Sequence, residues 1–303
     1  MGFGKSKSTE KYTFDFTDPY FTADGISANY SLLYAKYDFE EEDLSNWAAD
    51  ERQALVTFGY PLSEYQTVYF GGGYRGLDIN LGYNVAPEIK RFIDDRGDSF
   101  HEGVATLSWT RDTLDDPFMP TKGTYNSLGG EVTIPGSSET YYRLNYRNNS
   151  YFSFGEDSMV LGLRGNVAYG DGYGDSSDLP FFRHYYAGGI STVRGYKYGT
   201  IGPRYSNGDN AGGDFRINGG ADLIFPRGFG DPNSAYRMGL FVDAGSAYSS
   251  VSDFDADDLR YSAGVFLQWM SPVGPLNLSW ARPLNKKDGD KTESFQFTLG
   301  RGF

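Results

Sequence analysis

The stretch Tyr142-Arg143-Leu144-Asn145-Tyr146 puts a large aromatic or aliphatic side chain at every second position and a polar one between, within a run near residues 141 to 154. A period of two makes one face of an extended chain apolar and the other polar, which marks a β-strand. The unit recurs along the chain: Tyr12, Phe14 and Phe16 alternate with Thr13 and Asp15, and Phe295, Phe297 and Leu299 alternate with Gln296 and Thr298. About fourteen such runs can be placed, near 2 to 7, 10 to 17, 26 to 39, 52 to 60, 65 to 78, 101 to 111, 124 to 134, 141 to 154, 159 to 170, 214 to 225, 235 to 248, 259 to 271, 275 to 283 and 292 to 302.

The connections between these runs form two alternating sets. One is mostly short and turn-like, at 18 to 25, 61 to 64, 155 to 158 and 271 to 275, with longer members at 112 to 123 and 226 to 234. The other is longer and more polar or acidic, at 39 to 51, 80 to 99, 171 to 213, 249 to 258 and 284 to 291, with a tight exception at 135 to 140. Strands of ~10 residues with short connections at one end and long ones at the other are the pattern of an outer-membrane barrel. A water-soluble sandwich would have shorter strands and less unequal connections. The expected fold class is therefore all-β, a transmembrane antiparallel β-barrel.

Composition narrows the function. Of 303 residues, 17% are aromatic, and 40 Gly stand against 13 Pro, a balance that favours strands and tight turns. There is no cysteine, so neither a disulfide framework nor a thiolate metal site is available. A net charge of -13 argues against nucleic acid or anionic lipid headgroups as the main partner, because those demand basic surface. No window of ~18 apolar residues exists to form a membrane helix, and Met1-Gly2-Phe3-Gly4-Lys5 lacks the apolar segment of a signal peptide. His101 and His184 are the only histidines, and neither sits in a nucleophile or metal spacing. Asp253, Asp255, Asp257 and Asp258 imitate a calcium loop, but Asp258 stands where the turn needs glycine and Gly264 where the ligand set needs glutamate. A solvated acidic loop is the better reading, and no enzyme, metal or cofactor is expected.

One long segment breaks the alternation, Asp171 to Gly213, around Ala187-Gly188-Gly189-Ile190-Ser191-Thr192-Val193-Arg194-Gly195-Tyr196. A loop of this length is uncommon in a compact domain unless it is functional or disordered. Tyr185, Tyr186, Ile190, Val193, Tyr196, Tyr198 and Ile201 give it too much apolar surface to remain solvated. It reads as a packed, internalised loop with one conspicuous cation, Arg194.

Several segments also resemble one family. Thr192-Val193-Arg194-Gly195-Tyr196, the run from Thr110 through Asp115-Asp116-Pro117 and Pro120-Thr121-Lys122 to Gly123, and Leu267-Gln268-Trp269-Met270-Ser271-Pro272-Val273-Gly274-Pro275-Leu276 are similar to segments of the BamA family. Its members are the central subunits of the bacterial machine that folds proteins into the outer membrane. Val132-Thr133-Ile134-Pro135-Gly136-Ser137 and Asp288-Gly289-Asp290-Lys291 fit the same family, and the resemblance covers the whole chain in order. The Val-Arg-Gly-Tyr tetrapeptide alone marks only the wider superfamily, which includes transporters that secrete proteins.

The resemblance implies an integral protein of the bacterial outer membrane, with a sixteen-stranded barrel of which about fourteen strands are present. The match starts inside the third strand, so residues 1 to 303 are expected to be one N-terminally truncated barrel domain, without the periplasmic repeat domains and the first two strands. It also implies a loop folded into the lumen and locked there through Val193, Arg194, Gly195 and Tyr196. The partners of Arg194 would be Asp222 and Asp243, with Asp222 standing where the family carries a glutamate. The last strand, Thr292 to Phe303, would form a lateral gate through Phe295, Phe297, Leu299, Gly300, Gly302 and Phe303. The implied partners are nascent outer-membrane β-barrel proteins, outer-membrane lipid and lipopolysaccharide, with accessory lipoproteins meeting mainly the absent periplasmic domains. The alternatives are a protein-secretion pore of the same superfamily and a passive diffusion channel.

Overall fold

A computed structural model of the protein describes residues 2–5, 8–41, 44–155, 159–229, 234–272 and 274–300. The described residues form fourteen strands. They are β1 (Gly2–Lys5), β2 (Thr9–Asp18), β3 (Ser27–Asp38), β4 (Trp47–Ser63), β5 (Gln66–Leu81), β6 (Ser99–Asp112) and β7 (Gly123–Thr133), then β8 (Tyr141–Phe154), β9 (Met159–Gly172), β10 (Phe215–Ile224), β11 (Tyr236–Tyr248), β12 (Arg260–Ser271), β13 (Gly274–Pro283) and β14 (Phe295–Leu299). Each strand pairs only with its neighbours in sequence and antiparallel to them, so the sheet is one continuous meander with β1 and β14 as its edges.

Burial along the strands is inside out. On β11, Leu240 and Val242 are 46% and 53% exposed, while Arg237, Phe241 and Asp243, on the alternate positions, are nearly sealed. Arg75, Glu102, Arg183 and Arg194 are likewise buried, and Leu107, Leu128, Trp280 and Phe297 are exposed. A sheet in water arranges these the other way, because unpaired buried charge is costly and apolar surface is driven out of water. Lipid outside and a filled polar interior reconcile both.

What fills the interior is the segment between β9 and β10. Its Arg183 contacts Glu51 and Glu102 on β4 and β6, its Arg194 contacts Asp222 and Asp243 on β10 and β11, and its Tyr196 reaches Tyr261 on β12. One loop can touch walls so far apart in strand order only if the sheet is wrapped around it. The long loop therefore lies in the lumen of a transmembrane antiparallel barrel.

Besides β4, which runs from Trp47 to Ser63 rather than 52 to 60 and takes up part of the connection expected at 39 to 51, two elements differ from the sequence expectation. The polar connection 80 to 99 contains helix α1 (Pro87–Arg96), with Pro87 starting it, Glu88 in its first turn and Arg96 in its last. Its apolar face, Ile89, Phe92 and Ile93, is too short a pattern to signal a helix and is stabilised by packing on Phe100, Phe181 and Phe182. The last strand also begins at Phe295 rather than at 292, and its expected end at 302 lies outside the described residues. Thr292 bridges to Tyr196 of the lumenal loop rather than continuing the ladder with β13, and Gly300, at φ 98°, donates its N–H to the Pro275 carbonyl of β13. Gly302 and Phe303 lie outside the described residues.

The turn between β6 and β7, on the side of the short connections, is held by carboxylates. Asp115 accepts hydrogen bonds from the Thr121 N–H and hydroxyl and from the Lys122 N–H, and Asp116 accepts from the N–H groups of Phe118 and Met119. Partial burial works against the Asp115 carboxylate, yet these bonds outweigh it and hold its pKa below the ordinary value. A depressed folded pKa means that the stabilisation is present above the unfolded value of ~4 and is lost as pH falls through the folded value. Amide exchange at Thr121 and Lys122, corrected for intrinsic rate, should accelerate in acid, and Asp115→Ala should reproduce that acceleration at neutral pH.

Candidate functional site: the lumenal loop and its buried ion pairs

Alternation on β9, β10 and β11 brings Arg164, Asp222 and Asp243 to the lumenal face. In the register, Arg164 lies opposite Gly220 and Gly220 opposite Asp243, so these three positions form one row across three strands. A Cβ on Gly220 would come within 2.4 Å of Asp243 Oδ1 and 3.0 Å of Arg164 Nη2. The missing side chain lets Arg164 cross β10 and reach Asp243 Oδ1 at 2.7 Å, with its Nε 3.1 Å from Asp222 Oδ2.

Arg194 enters this row from the loop. Its Nε donates to Asp243 Oδ2 at 2.7 Å, its Nη2 to Asp243 Oδ1 at 2.8 Å and to Asp222 Oδ1 at 2.7 Å, and its own N–H to Asp243 Oδ2 at 3.1 Å. The guanidinium carbon lies 3.5 Å from the centre of the Phe241 ring, a cation–π placement. Two guanidinium cations and two carboxylates thus share one sealed site and balance in charge, which is the condition for holding charge where water is excluded.

The residues flanking Arg194 have separate tasks. Val193 is fully buried with Ala187, Tyr196, Ile201 and Ala247. Gly195 has φ 90°, and a Cβ there would meet the Ala281 Cβ at 2.8 Å, so only glycine lets the loop lie this close to β13. Tyr196 is fully buried and donates its hydroxyl to the Tyr261 carbonyl at 3.3 Å. On β14, Phe295, Phe297 and Leu299 form an exposed row facing away from the lumen.

Reasoning from sequence did not single out Arg164, nor a second cluster on the opposite wall. Arg183 Nη2 lies 3.0 Å from Glu102 Oε2 and its Nε donates to the Tyr141 hydroxyl at 2.9 Å, which in turn donates to Glu102 at 2.9 Å. Arg75 joins the cluster, 2.7 Å from Glu131 and 3.3 Å from Glu51. Glu102 is completely sealed from solvent. The only signal in the sequence is a charged residue at a lumen-facing strand position, and that does not say which charges meet.

A continuous, inside-out antiparallel sheet around a loop clamped by buried ion pairs defines a transmembrane β-barrel with an occupied lumen. Comparison with known proteins gives the family: the Omp85 superfamily domain matches residues 1–303, and the chain belongs to that superfamily. It is 32% identical, over 99% of its length, to the outer membrane protein assembly factor BamA of Neisseria meningitidis serogroup B, of which it covers 42%. It is also 32% identical over 82% of its length to BamA of Nitratidesulfovibrio vulgaris, covering 31% of that protein, so the chain spans less than half of these relatives. Its fold superimposes on the crystal structure of BamA from Haemophilus ducreyi lacking POTRA domains 1–3 with a TM-score of 0.87 at 26% identity, covering 97% of this chain and 62% of that one.

Removing either loop cation should release a different part of the loop. Arg194→Ala leaves Asp222 and Asp243 with Arg164 alone, and breaking a buried pair costs about 3 to 5 kcal/mol, less where water enters. Limited proteolysis of the folded protein should then cut within 171–213, where the unaltered chain resists. Arg183→Ala should instead raise amide exchange in α1 and Phe181–Arg183, which pack together, and leave protection around Arg194 in place.

Proposed function

We propose that residues 1–303 act as the barrel domain of an outer-membrane protein insertase, integral to the bacterial outer membrane, whose clients are nascent outer-membrane β-barrel proteins. The observation that carries this reading is the superposition on a BamA barrel at a TM-score of 0.87 over nearly the whole chain, with the Arg194 clamp inside it. No covalent step is involved. The driving free energy comes from moving apolar strand faces into lipid and from pairing strand edges whose bare N–H and C=O groups cost several kcal/mol each there. Outer-membrane lipid and lipopolysaccharide surround the exposed aromatic and aliphatic faces.

Within this reading, Val193, Arg194, Gly195, Tyr196, Asp222 and Asp243 lock the loop in the lumen and keep the wall in one shape. The edge strand β14 serves as the gate. Among the described residues its register with β13 runs from Trp280↔Phe295 to Leu276↔Leu299, with one further backbone hydrogen bond at each end, from the Ala281 N–H to the Ser294 carbonyl and from the Gly300 N–H to the Pro275 carbonyl. A short edge ladder can be released and offered to a client strand, whereas a long one holds. A steady diffusion channel fits poorly, because the loop occupies the lumen from wall to wall.

The test is a chimera in which this chain replaces the matching segment of the Neisseria meningitidis relative, in cells depleted of the native protein. Restored levels of folded outer-membrane barrels are expected, and Arg194→Ala in the chimera should lower them. A chimera that is exported and folded yet restores none of them, or that conducts ions steadily in planar bilayers, would overturn the reading.

A further inference from the structure

The lumenal face of β14 carries Gln296, which is buried to 6% exposure. Its Oε1 accepts the Gly195 N–H at 3.1 Å, and its Nε2 donates to the Tyr196 carbonyl at 2.9 Å and to Glu293 Oε2 at 3.1 Å. The carboxamide thus presents one acceptor and one donor to successive backbone groups of the loop, as a neighbouring strand would. The main chain just before β14 extends the contact. The Glu293 N–H donates to the Gly195 carbonyl at 2.9 Å, the Lys197 N–H donates to the Lys291 carbonyl at 2.9 Å, and Tyr196 bridges antiparallel to Thr292. A short ladder therefore joins loop residues 195–197 to the segment that enters the last strand, and it starts one peptide unit from Arg194.

Here the two ends of the device meet. Arg194 is fixed to β10 and β11 by Asp222 and Asp243, and the next residue is fixed to β14 by Gln296. Among the described residues β14 is held to β13 by a short register, Phe295–Leu299, flanked by one backbone hydrogen bond at each end, from the Ala281 N–H to the Ser294 carbonyl and from the Gly300 N–H to the Pro275 carbonyl, so the bonds to the loop are a large share of its anchors. We propose that Gln296 is a positioning residue that couples the lock to the edge strand, so that β14 is held while Arg194 is seated and freed when it leaves. The coupling deepens the gate reading above, but its test reads strand opening directly and does not require client insertion.

The test is a double-mutant cycle on the full chain folded in nanodiscs, read by hydrogen exchange. Arg194→Ala should accelerate exchange of the β14 amides by about tenfold, within the range usual for coupling between two sites. Gln296→Leu keeps the volume and removes all three carboxamide hydrogen bonds, so β14 should exchange faster at once. In that background Arg194→Ala should add little at β14 while still opening residues 185–213. A Gln296 with only a local structural role would give additive effects at β14, and that result, or a β14 indifferent to Arg194→Ala, overturns the proposal. Protection of β5 to β8 reports that each variant is folded. Should Gln296→Leu fail that control, Gln296→Glu keeps the acceptor for Gly195, loses the donor to Tyr196, and must show the same loss of response at β14.

Discussion

The guanidinium of Arg194 between Asp222 and Asp243 is the contact on which the interior depends. A cation removed from water needs partners, and the partners must be placed before the cation arrives. β-pairing places them. Strand alternation carries Asp222 and Asp243 to the lumenal face, the register sets them diagonally on β10 and β11, and Gly220 leaves room for Arg164 to balance the second carboxylate. Because Arg194 bonds with its backbone N–H as well as its side chain, the pair fixes the path of the loop and not just the position of one group.

The loop is held from two sides by charge clusters that share no residue. Arg183 ties its first part to β4, β6 and β8 through Glu51, Glu102 and Tyr141, and Arg194 ties its middle to β10 and β11. Between these anchors the buried side chains Ala187, Val193, Tyr196 and Ile201 pack as a small core of their own with Ala247. An apolar plug alone would be indifferent to register, since hydrophobic burial is not directional. Charge pairing supplies the direction, and two anchors rather than one fix the orientation of the loop within the barrel.

The wall and the plug are also joined at the sheet edge. Most strand pairs in this barrel are long, such as β4 with β5 and β8 with β9, whereas β14 contributes five residues to its ladder. The chain before β14 gives hydrogen bonds to the loop through Lys291 and Glu293, and Gln296 within β14 adds its side chain. Loop and edge segment therefore share backbone hydrogen bonds, Lys197 with Lys291 and Glu293 with Gly195.

Much of this was legible in the residues. Alternation at Tyr142-Arg143-Leu144-Asn145-Tyr146 and its repeats marked the strands, because a period of two is a local property of the chain and the lipid outside enforces it along every strand. The absence of alternation from Asp171 to Gly213, with its aromatic content, marked the internal loop for the same local reason. Helix α1 was not legible, because its apolar face is short and its stability comes from Phe100, Phe181 and Phe182, residues close in space but not in sequence. Nor were Arg164, the Arg183 cluster or Gln296. Each stands at an ordinary polar position of a strand or loop, and only the wrapping of the sheet decides which polar groups share the lumen. Sequence determined which face of each strand is polar, and tertiary structure decided which charges and amides meet there, because pairing across the lumen depends on distances that no local pattern encodes.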